Sequence, residues 1–499
     1  MAMFLSLAPF RAFLLSIACL VLIEAQAQLD QSFKPLPVYD GKDLWLVKSL
    51  KQQLKEELYY LEPKIEGMSR RYESNTGHLI RMVKGGRIIE DKTLQKFVDD
   101  IFHDLVEHSK LRVTPKRVLI AKLPEVNAMC VGEGTFVVTT GLLGRINNES
   151  QLAFTLAHEI AHYELGHVRE RIRKEASEKI SKKVKKGLVN VLKTDVEKSD
   201  LDTLRNMMYQ LSHFERKHER AADSLGLIIL QRAGFNTRES IGLLSILDSV
   251  DYTKKKLGYA LFNPFQFAKY PFQEHWLDAR PSMYTKRPAY VAIFAIDSIK
   301  THPEISKRIE WLGASLVDNH LGLNKRPDEE VQQLIAQCQF EDLDLQVEFH
   351  RLDYALLMAL QLKADYPANQ YLVSTIAKIL IDLSEDKDVY QDRKRDLPDF
   401  IGGYGDELKF VNTFLHNLKE DEMLEIAFNF LNSQGNFNAD NPEHYYLLWR
   451  VCELTNRKTV QLRVEKSFEE RFGKEGHFDR EEYRKYYIDI MKTFLRPGG

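Results

Sequence analysis

Two histidines, His158 and His162, stand four residues apart in the segment HEIAH, and Glu159 directly follows the first of them. Residues four apart on a helix differ by about 40° of rotation, so both imidazoles can reach one metal ion from the same face. Glu159 lies beside them and can contact a water molecule on that ion. Neutral imidazoles that hold zinc, with a carboxylate that takes a proton from the zinc-bound water, are the working parts of a zinc peptidase site.

A third histidine, His167, follows His162 by five residues. On a continuous helix His167 would lie about 140° away from His162, which is off the metal-facing side. The metzincin pattern is also missing, because Leu165 and Val168 occupy the positions at which it requires glycine and histidine. We therefore predict that His167 is not a ligand and that it caps or packs at the end of the helix.

A catalytic zinc site needs one more protein ligand and an open position for water. The segment HERAADSLG supplies a candidate, since Glu219 and Asp223 stand one helical turn apart and apolar residues follow them. Those apolar residues predict a buried helix, which would bring both carboxylates inward. We expect Glu219 to bind the zinc ion. Asp223 would accept a hydrogen bond from the second ring nitrogen of a ligating histidine and so fix its tautomer.

The elements around these segments are mainly helices. Apolar residues at three- and four-residue spacing predict helices between residues 44 and 110. The short β-branched runs RVLIA (Arg117–Ala121) and GTFVVTTGLL (Gly134–Leu143) predict two strands, and Asn148 then opens the helix that carries HEIAH. The sequence thus predicts an α+β fold that is mainly α, with a small β-sheet beside the helix of the active site.

The chain resembles the HtpX/Oma-type gluzincin zinc metallopeptidases over residues 85–312. The resemblance rests on Val126–Ala128, VVTTGLL, HEIAH, Glu219–Asp223, LIILQRAGFN and THPEISKRIEWL. It implies a zincin-like fold and one Zn2+ per chain, held by His158, His162 and Glu219. It also implies that the chain acts on protein or peptide substrates.

The same resemblance suggests further site residues. In the segment THPEISKRI, His302 would stabilise the oxyanion of the tetrahedral intermediate or occupy the open zinc position, and Arg308 would hold the segment in place. In peptidases of this type, an edge strand beside the active-site helix binds extended substrate. We expect Gly134–Thr140 to be that strand, with Asn127 and Ala128 before it lining the cleft. A plain core strand is the equal alternative.

Residues 1–27 predict a signal peptide. The apolar run of residues 12–23 is too short to span a bilayer comfortably, and Ala25–Ala27 forms a small-x-small cleavage pattern. Cys19 raises lipidation as an alternative, which Ser16 disfavours because lipoprotein signals carry a large aliphatic residue at its position. No later segment predicts an integral membrane span. Together with the resemblance, these features predict export to the periplasm or outer envelope of a bacterium.

The rest of the chain predicts two domains. We expect a zinc metallopeptidase domain over residues 28–325 and a C-terminal all-α domain over residues 331–499, whose helix pairs are similar to degenerate tetratricopeptide (TPR-like) repeats. An irregular helical domain is the alternative. Residues 254–290 are rich in aromatic residues and proline, which predicts a long surface loop or insertion of the kind that borders functional sites. The formal net charge of −2 gives no reason to expect nucleic acid as a partner.

The leading hypothesis is a zinc-dependent endopeptidase, with Glu159 as the general base for the attacking water. The resemblance implies that its substrates are unfolded or misassembled envelope proteins, and that its C-terminal helices contact envelope assembly partners. The alternative is a latent protease that acts mainly as a chaperone or protein-binding module through those helices.

Overall fold

The computed structural model divides the chain into two compact units. The HEIAH unit comprises Lys34–Lys254 and Ala289–Phe349, and the helical unit comprises Met1–Phe33, Lys255–Pro288 and His350–Gly499. The described residues are 29–39, 44–60, 67–112, 114–132, 134–177, 216–248, 256–278, 305–316, 322–385 and 406–473. The predicted signal peptide with Cys19, and also His302, lie outside the described residues.

The HEIAH unit is helical except for a small sheet. Its helices are α1 (Leu44–Tyr60), α2 (Met68–Lys84), α3 (Lys92–Ser109), α4 (Thr140–Leu143), α5 (Glu149–Glu164), α6 (His167–Ser177), α7 (Arg216–Arg232), α8 (Glu239–Asp248), α9 (Ile305–Ser315) and α10 (Asp328–Glu348). Its strands are β1 (Arg117–Ala121), β2 (Ala128–Val131) and β3 (Thr135–Thr139). The predicted fold class, α+β and mainly α with a small sheet beside the HEIAH helix, is confirmed.

The three strands are ordered β1-β3-β2. β3 pairs parallel with β1 and antiparallel with β2, and all five of its residues are buried. Of the two alternatives for residues 134–140, the core strand is therefore the one observed, and the edge-strand alternative is wrong. The edge strand that lies against α5 is β2, at Ala128–Val131.

The helix that carries HEIAH, α5, is bounded at both ends by local signals. Asn148 precedes it in an extended conformation, and its side chain accepts a hydrogen bond from the amide of Gln151 (3.1 Å). The helix ends at Glu164, and Gly166 then adopts a left-handed conformation with φ of 74°. His167 begins the next helix, so it does not continue the helical rotation of HEIAH.

The core of the HEIAH unit extends beyond the predicted domain boundary. Val331, Ile335 and Cys338 on α10 are buried in the same apolar cluster as the core residues of α3, α5 and α7. Because these side chains complete that cluster, the HEIAH unit continues to Phe349 instead of ending near residue 325.

The helical unit contains α11 (Leu352–Asp365), α12 (Gln370–Glu385), α13 (Asp406–Asn417), α14 (Glu420–Leu431), α15 (Pro442–Leu454) and α16 (Lys458–Phe472). α11 and α12 pack against each other across a turn at Pro367, and α15 packs on both α14 and α16. Successive helices in contact agree with the predicted helix pairs, whereas tetratricopeptide repeats remain a prediction. Within the described ranges, no helix has both the length and the apolar character needed to cross a membrane.

Residues 256–278, the described part of the predicted surface loop, form an integral part of the helical unit. They contain two 3-10 helices, Gly258–Phe265 and Glu274–Leu277. Phe265 and Trp276 are fully buried, and the ring of Phe265 stacks on that of Phe414 in α13 with 5.6 Å between centroids. For these residues the surface-loop prediction is wrong. The aromatic side chains that suggested a loop are buried in the core of the helical unit.

Polar contacts from α13 hold both ends of this insertion. The carboxylate of Glu407 accepts a hydrogen bond from the amide of Gly258 (2.7 Å). Ten residues further along the helix, the side chain of Asn417 donates to the carbonyls of Trp276 (3.1 Å) and Asp278 (2.9 Å). Both α13 side chains are buried, so these contacts satisfy backbone groups that water does not reach.

We predict that Phe265→Ala destabilises the helical unit by about 3–5 kcal/mol, the usual loss for truncating a fully buried phenylalanine. Tyr259→Ala in the same 3-10 helix is the matched control, because Tyr259 is 71% exposed, and it should cost about 0.5 kcal/mol or less. Chemical unfolding followed by circular dichroism measures both. Equal, small effects would mean that the insertion does not contribute to the core.

Candidate metal centre

Three side chains from two helices converge on one point. His158 and His162 lie on α5 and Glu219 on α7, and one ligand atom from each lies within 4.8 Å of the others. Nε2 of His162 is 3.4 Å from Oε1 of Glu219, and Nε2 of His158 is 3.6 Å from Oε2 of Glu219. The two Nε2 atoms are 3.1 Å apart. Two imidazoles and a carboxylate in this arrangement can hold one metal ion.

The charges of the site also fit a divalent cation. Glu219 and Asp223 are buried, as is Glu159 beside the histidines, and Arg308 is the cation that contacts two of these carboxylates. With neutral imidazoles, three carboxylates and one guanidinium leave two formal negative charges in excess. A buried excess of this kind needs compensation, and a divalent metal supplies it.

A glycine allows the two ligand-bearing helices to approach closely. A Cβ atom at Gly226 on α7 would lie 3.2 Å from both the backbone nitrogen and the Cα of His158. Any side chain at this position would push α7 away from α5. Gly226 therefore brings Glu219 and Asp223, which lie on the same helix, within reach of the HEIAH histidines.

Asp223 connects a candidate ligand to Arg308. Its Oδ1 lies 2.9 Å from Nδ1 of His158, and both its oxygens accept hydrogen bonds from Arg308 on α9 (2.7 and 2.8 Å). Burial alone would raise the pKa of Asp223, but Arg308 and the His158 contact outweigh burial and lower the pKa to about 2. Asp223 is thus an anionic acceptor that keeps a proton on Nδ1 of His158 and directs Nε2 toward Glu219.

Glu159, the predicted base, is positioned by the edge strand. Its Oε2 accepts a hydrogen bond from the backbone amide of Cys130 on β2 (3.1 Å), and the carboxylate is buried. Because the donor is a backbone amide, this contact does not depend on the side chain at position 130. No motif in the sequence indicates this contact, since the pairing order of the strands is a tertiary property.

Asn127 and Ala128 lie at the start of that edge strand. The carbonyl of Asn127 accepts a hydrogen bond from the amide of Thr139, so the backbone of Asn127 pairs with β3. Ala128 is opposite Val138 in the next pair, where the backbone amide and carbonyl of an antiparallel strand point away from the partner strand. The amide of Cys130, two residues on, points to the same side, toward Glu159.

His167 contacts the candidate ligand His162, and the sequence analysis did not predict this contact. Its Nδ1 lies 3.0 Å from Nδ1 of His162, and burial together with the neighbouring His218 lowers its pKa to about 4. The angular argument that set His167 aside assumed a continuous helix, whereas the chain turns at Gly166. The glycine in ELGH is a helix-stop signal that could have indicated this turn.

The two candidate histidine ligands differ in protonation when no metal is bound. Burial alone lowers the pKa of His158, but hydrogen bonds with Asp223 and Glu219 outweigh burial and raise the pKa to about 9. Burial lowers the pKa of His162 well below its usual value. Near neutral pH the metal-free site therefore carries one extra proton, on His158, which partly offsets the excess of carboxylates.

We predict that metal binding releases this proton. Below about pH 9 the metal must displace it from His158, so apparent affinity should rise about tenfold per pH unit as the pH increases toward 9, and should level off above it. Zinc titrations against a competing chelator at several pH values measure the slope. Calorimetry at neutral pH in two buffers of different ionisation enthalpy counts the proton. An affinity that does not change with pH would contradict the protonation of His158.

We predict that Gly226→Val weakens metal binding about tenfold or more, because overpacking the helix crossing costs about 1–3 kcal/mol and displaces Glu219 from the histidines. Ile228→Val on the exposed side of α7 is the control and should leave affinity unchanged. Chelator competition measures both variants. Wild-type affinity in Gly226→Val would show that the close crossing does not set the ligand geometry.

Comparison with known proteins agrees with this geometry. Residues 92–315 match Peptidase family M48, a range that includes HEIAH, Glu219 and Arg308. Mitochondrial metalloendopeptidase OMA1 of Arabidopsis thaliana is 29% identical over 157 residues, which cover 31% of this chain and 30% of that protein. The beta-barrel assembly-enhancing protease of Escherichia coli K12 is 23% identical over 403 residues, 77% of each chain. The site and these similarities together identify residues 92–315 as a peptidase family M48 domain and support a metalloendopeptidase activity.

Proposed function

We propose that the chain is a zinc-dependent endopeptidase that hydrolyses peptide bonds in unfolded or misassembled proteins of the bacterial envelope. The observation that carries the proposal is the convergence of His158, His162 and Glu219 on one point, with Glu159 beside them. Two histidines and a glutamate are a ligand set of catalytic zinc sites, which keep a further position open for water or substrate.

The three convergent residues would hold one zinc ion, and the surrounding residues would maintain their orientation. Bound zinc polarises the scissile carbonyl and makes water a better nucleophile at neutral pH. Asp223 keeps the His158 ring in the tautomer that ligation needs, and Arg308 holds Asp223 in its ionised form. Through the same two bonds, Arg308 would also hold its own segment, α9, against α7.

Glu159 is the proposed general base. Its carboxylate takes a proton from the attacking water and then delivers it to the nitrogen of the departing amine. The hydrogen bond from Cys130 fixes Oε2 and so restricts how the carboxylate can rotate. His302, which lies outside the described residues, remains proposed as the group that stabilises the oxyanion.

We assign substrate binding to β2 instead of the strand predicted from the sequence. An extended peptide that pairs with an edge strand gains backbone hydrogen bonds without regard to its own sequence. Ala128 would provide such bonds through its backbone, because its amide and carbonyl point away from β3. Asn127 uses its backbone to pair with β3, so its contribution to substrate binding would come from the side chain.

The envelope location and the class of substrate rest on two observations. The Escherichia coli relative that matches over 77% of this chain is named a beta-barrel assembly-enhancing protease. With the signal peptide predicted at residues 1–27, this relative supports export and contacts of the helical unit with envelope assembly partners.

We predict that Glu159→Gln lowers the cleavage of an unfolded protein such as reduced casein by about 10²–10⁴-fold, while the variant still binds one zinc ion per chain. The amide cannot take a proton from water, although the three ligands are unchanged. Glu164→Gln on the same helix is the matched control. Its carboxylate binds the backbone amide and the side chain of Arg112, so activity should stay near wild type.

Rate assays and metal analysis of the purified proteins separate the outcomes. Equal rates for wild type and Glu159→Gln would contradict the role of the base. A wild-type protein that contains no zinc after purification and reconstitution would contradict the ligand assignment. A zinc-loaded wild type that prevents aggregation of unfolded chains but never cleaves them would instead favour the chaperone function.

A further inference from the structure

The ring of His162 has a hydrogen-bond partner in a second histidine, His167. His167 begins α6 directly after the left-handed Gly166, and this turn brings its ring back toward the last turn of α5. Nδ1 of His167 lies 3.0 Å from Nδ1 of His162, and both rings are buried. Two ring nitrogens at this distance share one hydrogen, so one ring donates and the other accepts.

The direction of that hydrogen bond follows from the position of His162. Nε2 of His162 faces Nε2 of His158 and Oε1 of Glu219, so the lone pair that would bind a metal is on Nε2. A neutral imidazole with a free lone pair on Nε2 carries its hydrogen on Nδ1. His162 therefore donates from Nδ1, and His167 accepts at its Nδ1 and carries its own hydrogen on Nε2.

Contacts with α7 hold the His167 ring in place. It stacks on the ring of His218, with 4.1 Å between centroids and 18° between planes. Nε2 of His218 is 3.2 Å from Oε2 of Glu170 on α6. His218 directly precedes the candidate ligand Glu219, so the stack joins the start of α6 to the segment that carries the third ligand.

We propose that His167 is a positioning residue that fixes the ring orientation and the tautomer of His162 for metal binding. This inference rests on the proposed zinc site. His167 acts on His162 as Asp223 acts on His158, but it is uncharged. A second carboxylate in its place would add to the excess of buried negative charge around the ligands, whereas an imidazole acceptor orients His162 without adding charge.

Three substitutions of His167 distinguish positioning from simple packing. In His167→Asn the side-chain oxygen takes approximately the place of Nδ1 and can still accept from His162. In His167→Gln the side chain is longer, and its oxygen falls nearer the place of Nε2. His167→Leu removes the acceptor. We predict that the leucine and glutamine variants bind zinc about 10–100-fold more weakly, and that the asparagine variant stays within a few-fold of wild type.

Chelator competition measures the zinc affinities, and nitrogen NMR of the metal-free protein reports the tautomer of His162. Wild type and His167→Asn should show the hydrogen of His162 on Nδ1, and His167→Leu should show a mixture of tautomers. Arg173→Gln, on the exposed side of α6, is the control for changes in that helix and should match wild type in both measurements.

The proposal is overturned if His167→Leu binds zinc as tightly as wild type. It is also overturned if the asparagine and leucine variants lose affinity equally, since a packing role alone would explain that result. Should the leucine variant fail to fold, the asparagine and glutamine pair decides. A wild-type protein that binds no zinc overturns the proposed function together with this inference. If wild type binds zinc and the His167 variants bind it with the same affinity, only this inference is overturned.

Discussion

The buried ion pair between Asp223 and Arg308 is the contact on which the rest of the site depends. A carboxylate and a guanidinium removed from water are stable only if nearly all of their hydrogen-bonding groups are satisfied. Asp223 meets this requirement with two bonds from Arg308 and the contact with His158, and Arg308 also lies 3.0 Å from Glu219. The pair thus joins α7 to α9 and orients a candidate ligand on each of two helices. Loss of Arg308 would leave the buried carboxylates of Asp223 and Glu219 without this cation beside the metal centre.

Each functional residue of HEIAH is oriented by a different neighbouring element. His158 contacts Asp223 on α7, Glu159 contacts the backbone of β2, and His162 contacts His167 at the start of α6. Glu159 lies about 100° around the helix axis from His158, so its partner comes from a different side of α5 than the partners of the histidines. The apolar surface of α5 reflects this arrangement, since a helix surrounded by ligand-orienting elements is buried along nearly its whole length.

The sequence predicted those parts of the site that depend on spacing within one helix. HEIAH and the pair of Glu219 and Asp223 were recognisable because residues one turn apart share a helical face. The role of His167 was not recognisable from the sequence, because it depends on where the helix stops and on the backbone conformation of Gly166. The strand β2 was missed, because the sequence predicted strands only at β1 and β3 and treated the residues between them as a connection. The sequence also left open whether Gly134–Thr140 is an edge or a core strand, because strand order is settled by pairing across the sheet.

The boundary between the units could not be read from composition because each unit is built from separated parts of the chain. The insertion at residues 256–278 follows α8 and precedes α9, which belong to the HEIAH unit, yet its aromatic side chains pack on Phe414 in the helical unit. The helix that carries Arg308 is therefore reached along the chain only after a segment that is folded into the other unit. α10 then contributes buried side chains to the HEIAH core before the chain enters the helical unit again. A cut near residue 325 would remove core residues from the first unit and would leave Trp276 and its aromatic neighbours without the helices that bury them. Such a cut would therefore expose apolar surface in both units.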